Sequence, residues 1–347
     1  MERSVIESGV TMSKRDYYFD NAKFILIFLV VFGHAIQSSI EADPILMTTY
    51  QTIYFFHMPA FILIAGYFAK ASYSKGLIFK LLKKLIVPYL IFQLIYTIYY
   101  YFLRDHNNLE IDPLNPQWAL WFLVSMFFWS LLLLLFVDVL KLKWKAAMVI
   151  SIALGVLIGF VNDYTSTLSL SRTFVFFPFF LAGHYLNRNF FSQLNSKKVR
   201  VFSALSILLV FISIYFLPDW SSRWLFGSHS YEDLGTPVEA SPLLRLLIYA
   251  VSFGLVIAFF SLAPIIKTFF TKWGVNTLYV YLFHGFIIQF YRESGFGLAV
   301  NPYVSLLIIM AASLILTIFL SSRLVAAAAQ PIVELNNSKA KKMLNQK

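Results

Sequence analysis

The sequence predicts an all-α, polytopic integral membrane protein of about ten spanning helices with both termini in the cytoplasm. Composition is the first ground. Of the 347 residues 59% are hydrophobic and 13% charged, against about a quarter charged in a soluble domain, and the mean hydropathy is +0.71. A water-exposed surface cannot be assembled from that. Second, apolar runs near the roughly 20 residues that cross a hydrocarbon core recur along the chain, as in FILIFLVVFGHAI, LWFLVSMFFWSLLLLLFV and VSLLIIMAASLILTIFL. They are apolar on every side, whereas barrel strands alternate over about ten residues. Third, the basic residues fall on one side of the predicted spans, as counted below.

Spans are expected at 22–41, 51–70, 81–103, 117–138, 146–162, 172–187, 200–217, 242–262, 274–293 and 302–325. The preceding segment, 1–21, is polar, carries Arg3, Lys14 and Arg15, and has neither the apolar core nor the small-residue cleavage site of a signal peptide. The first span is therefore expected to direct insertion. Pro59, Pro88 and Pro178 fall in spans 2, 3 and 6 and predict kinks that free a carbonyl, tolerated where neighbours or a water-filled cavity satisfy it. YTIYYYF, closing span 3, and WALWF, opening span 4, fit an outer aromatic belt. Gly155 and Gly159 in span 5 make a small-xxx-small helix contact.

The longest loop, about 218–241, holds Asp219, Trp220, Trp224, His229, Glu232, Asp233 and Glu239. It is either a solvated loop with interfacial tryptophans or a surface that meets a sugar-like ligand. No stretch between spans is long enough to bury a soluble core, so residues 22–325 are expected to form one membrane domain. The basic tail, 326–347, is expected to fray after Asn336.

With a cytoplasmic N-terminus, 23 of the 28 lysines and arginines lie inside, leaving Arg104, Arg172, Arg223, Arg245 and Arg292 outside. That satisfies the positive-inside rule. The formal charge of +11 is then explained by loop lysines beside the anionic lipid of the bilayer, with no nucleic-acid partner. There is no cysteine, which excludes disulfides, thiolate metal sites and a cysteine-linked acyl intermediate. Neither a metal nor a permanently bound cofactor is expected.

Ionisable groups at membrane depth are costly and are functional suspects by default. His34, His57, His184 and His284 lie in spans 1, 2, 6 and 9, and His106 and His229 in loops. Lys23 and His34 are eleven residues apart, which at about 100° per residue is three full turns plus about 20° and a rise of roughly 16 Å. They share one helix face, and Asp20, three residues before Lys23, joins it near the cytoplasmic boundary. His57 and His284 are expected in the outer half of the membrane, where three imidazoles can meet. Each is also compatible with a histidine that merely hydrogen-bonds in the helix packing.

These residues resemble the membrane acyltransferase family 3, and within it the fucose 4-O-acetylase-like branch. The strongest element is R-x4-D-x2-K-x10-H, here Arg15, Asp20, Lys23 and His34. Supporting elements follow in the family's order: FFHMPAFILIAGYF at 55–68, KLLKKLIVPYL at 80–90, LWFL at 120–123, FFLAGHYL at 179–186 and NTLYVYLFHGF at 276–286. Three departures stand out. Lys23 replaces the arginine common at this position of the motif, with ten residues between it and the histidine, Ala65-Gly66 replaces a Ser-Gly pair, and LWFLVSMFFW lacks the acidic residue many relatives carry after a similar segment.

The resemblance implies transfer of an acyl group, usually acetyl, from coenzyme A in the cytoplasm to a hydroxyl of an extracytoplasmic glycan or its lipid-linked precursor, across the cytoplasmic membrane of a bacterium. Lys23, with Asp20, Arg15, Lys80, Lys83 and Lys84, is expected at the acyl-CoA donor site, lysines meeting phosphate as point charges. His34 is expected to be catalytic, with His57 or His284 as its partner. A buried imidazole stays neutral and can accept the hydroxyl proton; an acyl-imidazole intermediate serves equally well. The rival class is a proton-coupled transporter of a small solute, which inverted repeats would support, and none is visible.

Overall fold

A computed structural model describes residues 16–69, 76–104, 108–162, 167–217, 220–295 and 301–336, with Ser338. Among them the chain is helical, with no strand. The α-helices are α1 (Tyr17–Ile36), α2 (Pro44–Phe68), α3 (Leu77–Leu81), α4 (Val87–Leu103), α5 (Trp121–Leu133), α6 (Trp144–Leu157) and α7 (Leu170–Tyr185), then α8 (Arg188–Gln193), α9 (Lys197–Phe216), α10 (Ser241–Leu262), α11 (Thr277–Glu293), α12 (Pro302–Leu320) and α13 (Arg323–Val333).

Each of the ten segments expected from the sequence falls on a helix. Among the described residues six are long and apolar enough to cross a membrane: Tyr17–Glu41, Pro44–Phe68, Trp118–Val139, Lys197–Phe216, Ser241–Leu262 and Pro302–Leu320. The other four do not qualify by themselves. α7 has 16 residues, and α11 has 17 and carries His284, Gln289 and Arg292. The chain is a multi-pass, all-helical membrane protein.

α2 is the hub, packed against α1, α7, α9 and α10, with most of its length buried. Glycines set its closest approach. A Cβ on Gly66 would lie 1.9 Å from the carbonyl oxygen of Phe180 in α7, and one on Gly183 in α7 would lie 2.0 Å from that of Leu63 in α2. This reciprocal pair brings two backbones together as small residues do in membrane helices. Gly155 and Gly159 work differently. Gly155 leaves room for the Tyr249 hydroxyl and the Phe174 carbonyl, and Gly159 for the ring of Tyr231.

Tyrosines tie helices together by donating to backbone carbonyls: Tyr18 to Phe260 at 2.7 Å, Tyr96 to Leu282 at 2.9 Å, Tyr99 to Phe286 at 2.6 Å and Tyr249 to Val175 at 2.7 Å. Interhelical bonds of this kind contribute about 0.6 kcal/mol each on average in a membrane protein.

Two of the three prolines do not break their helices. Pro59 and Pro178 lie inside unbroken α2 and α7; Pro88 follows a π turn over Leu82–Ile86. The tail begins with order: α13 buries Ala326, Ala329 and Val333 against α4 and α11, and Glu334 accepts from the hydroxyl of Tyr279.

Candidate active site

α1 is fixed before it reaches the site. The Asp16 side chain caps it by accepting from the Tyr18 amide at 3.1 Å and pairs with Arg188. Asn21 donates to the carbonyls of Pro264 and Ile266, each at 2.8 Å, and its own oxygen accepts from Thr268 and Thr271. Gly274 lies so close that a Cβ would be 1.8 Å from the Asp20 carbonyl oxygen. On this anchored base Lys23 makes an ion pair with buried Asp20 at 2.9 Å.

The face that carries Lys23 also carries Ile27, Val30 and His34, and all four line a cavity of about 520 Å³. Lys84, from the π turn, joins Lys23 there, while Arg172, Leu225 and Phe226 line the wall with His34 and Tyr54. The cavity therefore follows the α1 face from one cation to an imidazole three turns away. Lys80 and Lys83 are exposed and do not line it. Arg15 and His106 lie outside the described residues.

Around His34 the rings are in contact. Its centroid is 4.6 Å from Trp118 and 5.7 Å from His284, and Trp118 is 5.0 Å from His284. Tyr54 places its hydroxyl 3.2 Å from His34 Nδ1 and its ring 4.6 Å from His57. The sequence expectation of three imidazoles meeting thus describes one cluster, but their bonding separates them. His57 and His284 each bond the carbonyl four residues back on their own helix, Ile53 and Val280, at 2.8 Å. His34 bonds a side chain instead, and its Nε2, like that of His284, has no protein partner among the described residues. When Nδ1–H donates to Tyr54, Nε2 carries the lone pair a base requires. His57 lines the cavity, whereas His284 stands behind Trp118. His184 lies 3.4 Å from the Ala69 carbonyl and off the cavity.

Trp118, Tyr54, Arg172 and Arg292 are site features the sequence analysis did not assign. WALWF is not a belt: Trp118 and Trp121 stand in the cavity wall. They arrive on a segment folded back along α4, where Tyr89 donates to the Pro113 carbonyl at 2.7 Å. Gln93 donates to the carbonyls of Asp112 and Asn115 and accepts from the Gln117 amide. Gln93 is ten residues from the end of α4, so the segment descends about 15 Å along the helix. Its polar backbone is tolerated there because a side chain satisfies it. Trp118 itself has φ +43°, a left-handed conformation that costs a non-glycine residue about 1–3 kcal/mol and concentrates at functional sites.

Arg292 donates to the His34 carbonyl at 2.8 Å and to Gln37, a cation at the C-terminal end of α1 where the helix dipole favours it. The 220–240 loop is not splayed into solvent. Trp224, Leu225 and Tyr231 are buried, and Leu225 and Phe226 close one wall of the cavity.

Comparison with known proteins bears on what such a cavity does. Residues 16–322 match the acyltransferase 3 family model, described as an acyltransferase domain. The chain belongs to the acyltransferase 3 family. A stretch of 75 residues is 41% identical to the nodulation protein NolL of Sinorhizobium fredii, covering 21% of this chain and 20% of that protein. A stretch of 63 residues is 43% identical to NolL of Mesorhizobium japonicum, covering 17% of each. The matched part of the chain thus spans about a fifth of the length of these curated relatives. No solved structure matches. Membership of the acyltransferase 3 family identifies residues 16–322 as an acyltransferase domain.

Proposed function

We propose that this acyltransferase moves an acetyl or similar acyl group from cytoplasmic acyl-CoA to a hydroxyl of an extracytoplasmic or lipid-linked glycan, as the fucose 4-O-acetylase-like branch of the family implies. One observation carries the proposal: a single cavity is lined by Lys23, Lys84 and His34. With ten spans, both termini cytoplasmic and the protein in the bacterial cytoplasmic membrane, Lys23 and Lys84 face the side where CoA is made. His34 then stands about 16 Å further in. The ammonium groups attract the CoA phosphates, and the apolar wall of Ile27, Val30, Phe61 and Phe122 accepts the pantetheine arm.

His34 Nε2 takes the proton of the acceptor hydroxyl as its oxygen bonds the thioester carbonyl carbon. The carbon–sulfur bond then breaks, and the proton passes to the departing CoA thiolate. Products are the O-acyl glycan and CoA–SH, so atoms and charge balance. Tyr54 positions the imidazole by accepting from Nδ1.

The experiment is mass spectrometry of surface glycans from cells with and without the gene. Loss of one acetyl-sized increment without it is the expected result, and an unchanged glycan profile would overturn the proposal in favour of transport. Orientation is checked by reporter fusions, with Leu109 and Tyr231 outside and Ser196 and the C-terminus inside. An outside C-terminus would break the ten-span arrangement.

A further inference from the structure

We propose that the acceptor carries an acidic group, a carboxylate or a phosphate, beside the hydroxyl that is acylated, and that Arg172 binds it. This deepens the acyl-transfer function proposed above and rests on it.

Arg172 lines the cavity that His34 lines. Its Nε donates to the Phe226 carbonyl at 3.3 Å, and its guanidinium stacks 5.1 Å above the Trp121 ring. Those contacts fix the plane of the fork, and its two terminal nitrogens have no protein acceptor among the described residues. Among the described residues no carboxylate lines the cavity. Arg172 also stands in the first turn of α7, the positive end of the helix dipole, where a cation is disfavoured. A half-buried cation with no counter-charge among the described residues, held against a dipole of its own sign, is costly. An anion entering from outside the chain offsets that cost, and a guanidinium fork matches carboxylate or phosphate with two parallel hydrogen bonds.

The other arginines on this side of the membrane are committed elsewhere. Arg104 pairs with Glu293 at 2.7 Å, Arg245 donates to the Trp224 carbonyl, Arg292 holds the end of α1 and Arg223 contacts His229 and the Asp233 carbonyl. The CoA phosphates belong to Lys23 and Lys84 and do not need Arg172. What remains for its free fork is a charge on the acceptor.

The test uses the purified full chain in lipid nanodiscs with saturating CoA, so that the donor phosphate site is filled. Binding and thermal stabilisation are measured with methyl β-glucoside, methyl β-glucuronide and glucose 6-phosphate. The expected result is that one anionic sugar binds at least about tenfold more tightly than the neutral one, the size of one charge-assisted hydrogen-bonded contact. Which one binds tells carboxylate from phosphate.

Arg172→Gln should abolish the preference and Arg172→Lys should keep part of it. Without ligand, Arg172→Gln should melt no lower than the wild type, because it removes an uncompensated charge. Equal or absent binding of all three sugars by the wild type overturns the proposal, as does an anion preference that survives in Arg172→Gln. A ligand-free Arg172→Gln that melts well below the wild type overturns it too, making the arginine structural. Mass spectrometry of surface glycans from cells with and without the gene reports acyl transfer itself. An unchanged profile sinks the acyl-transfer function, whereas a lost acetyl increment with no anion preference sinks only the acidic acceptor.

Discussion

The cavity is basic at the Lys23 end and again at Arg172, yet the two cations are held in opposite ways. Lys23 is paired at 2.9 Å with a buried carboxylate three residues away on its own helix. Arg172 is held by a carbonyl and an indole ring and, among the described residues, by no carboxylate. A paired ammonium keeps its position whether or not a ligand is present, and the carboxylate tempers its pull. That suits the acyl-CoA proposed to bind at this end, whose spent form would have to leave on every turn. An unpaired guanidinium is completed only by what binds it. The difference teaches that the number of positive charges around a cavity says less than whether each already has a partner.

The largest effect should come from the residue between the two ends. His34→Gln keeps a hydrogen-bonding side chain but can act neither as base nor as acyl carrier, so acyl transfer should fall by about 10²–10⁴. Labelled-acetyl transfer measures this, with CoA binding retained as the control for folding. Near-normal turnover would move the chemistry to His57, the next imidazole on the cavity wall.

Lys23→Ala should weaken acyl-CoA binding by about ten- to a hundredfold, as expected for a lost charge-assisted contact, with Lys23→Arg close to the wild type. Lys80→Ala and Lys83→Ala, outside the cavity, should change donor affinity little. Equal losses in all three alanine variants would mean a diffuse basic surface and erase the contrast between the two ends.

Gly274→Ala forces a Cβ against the Asp20 carbonyl and should cost about 1–3 kcal/mol, read as a lower melting temperature. Because the strain falls on the base of α1, donor affinity should drop with it while sugar binding near Arg172 is spared. Unchanged stability would show that α1 shifts freely at its base.

The smallest effect is a pH dependence in the 220–240 loop. Partial burial, and then the neighbouring Arg223, lower the affinity of His229 for a proton, so the unfolded loop binds protons more readily than the folded one. Its contribution to stability is therefore complete above the ordinary imidazole value of about 6.5 and is lost as the pH falls below it. Hydrogen exchange of the loop should quicken on acidification, and His229→Gln should flatten that response.

Much of this was legible in the sequence, for identifiable reasons. Apolar runs reveal helices because lipid demands internally satisfied backbones, and the Lys23–His34 spacing is helical geometry, so both could be read from one chain. Tyr54 lies three residues before His57 in the YFFH run and was accessible to the same reasoning. Trp118 was not. Its position depends on a chain reversal held by Gln93 and Tyr89, and nothing in WALWF distinguishes a belt from an inward fold. Arg172 was counted as a loop-end cation, because its missing partner is a property of the packed structure. Pro59 and Pro178 predicted kinks, and α2 and α7 run through them without a break.

The reciprocal glycine contact between α2 and α7 has a mechanical consequence. With Gly66 against one backbone and Gly183 against the other, neither helix can slide or roll without a collision of main chains. Tyr54 rides on α2 and Arg172 on α7, so the separation between the group that orients His34 and the free guanidinium is set by the scaffold. The pair is a fixed caliper, and a molecule that spans it must bring its own matching gauge length.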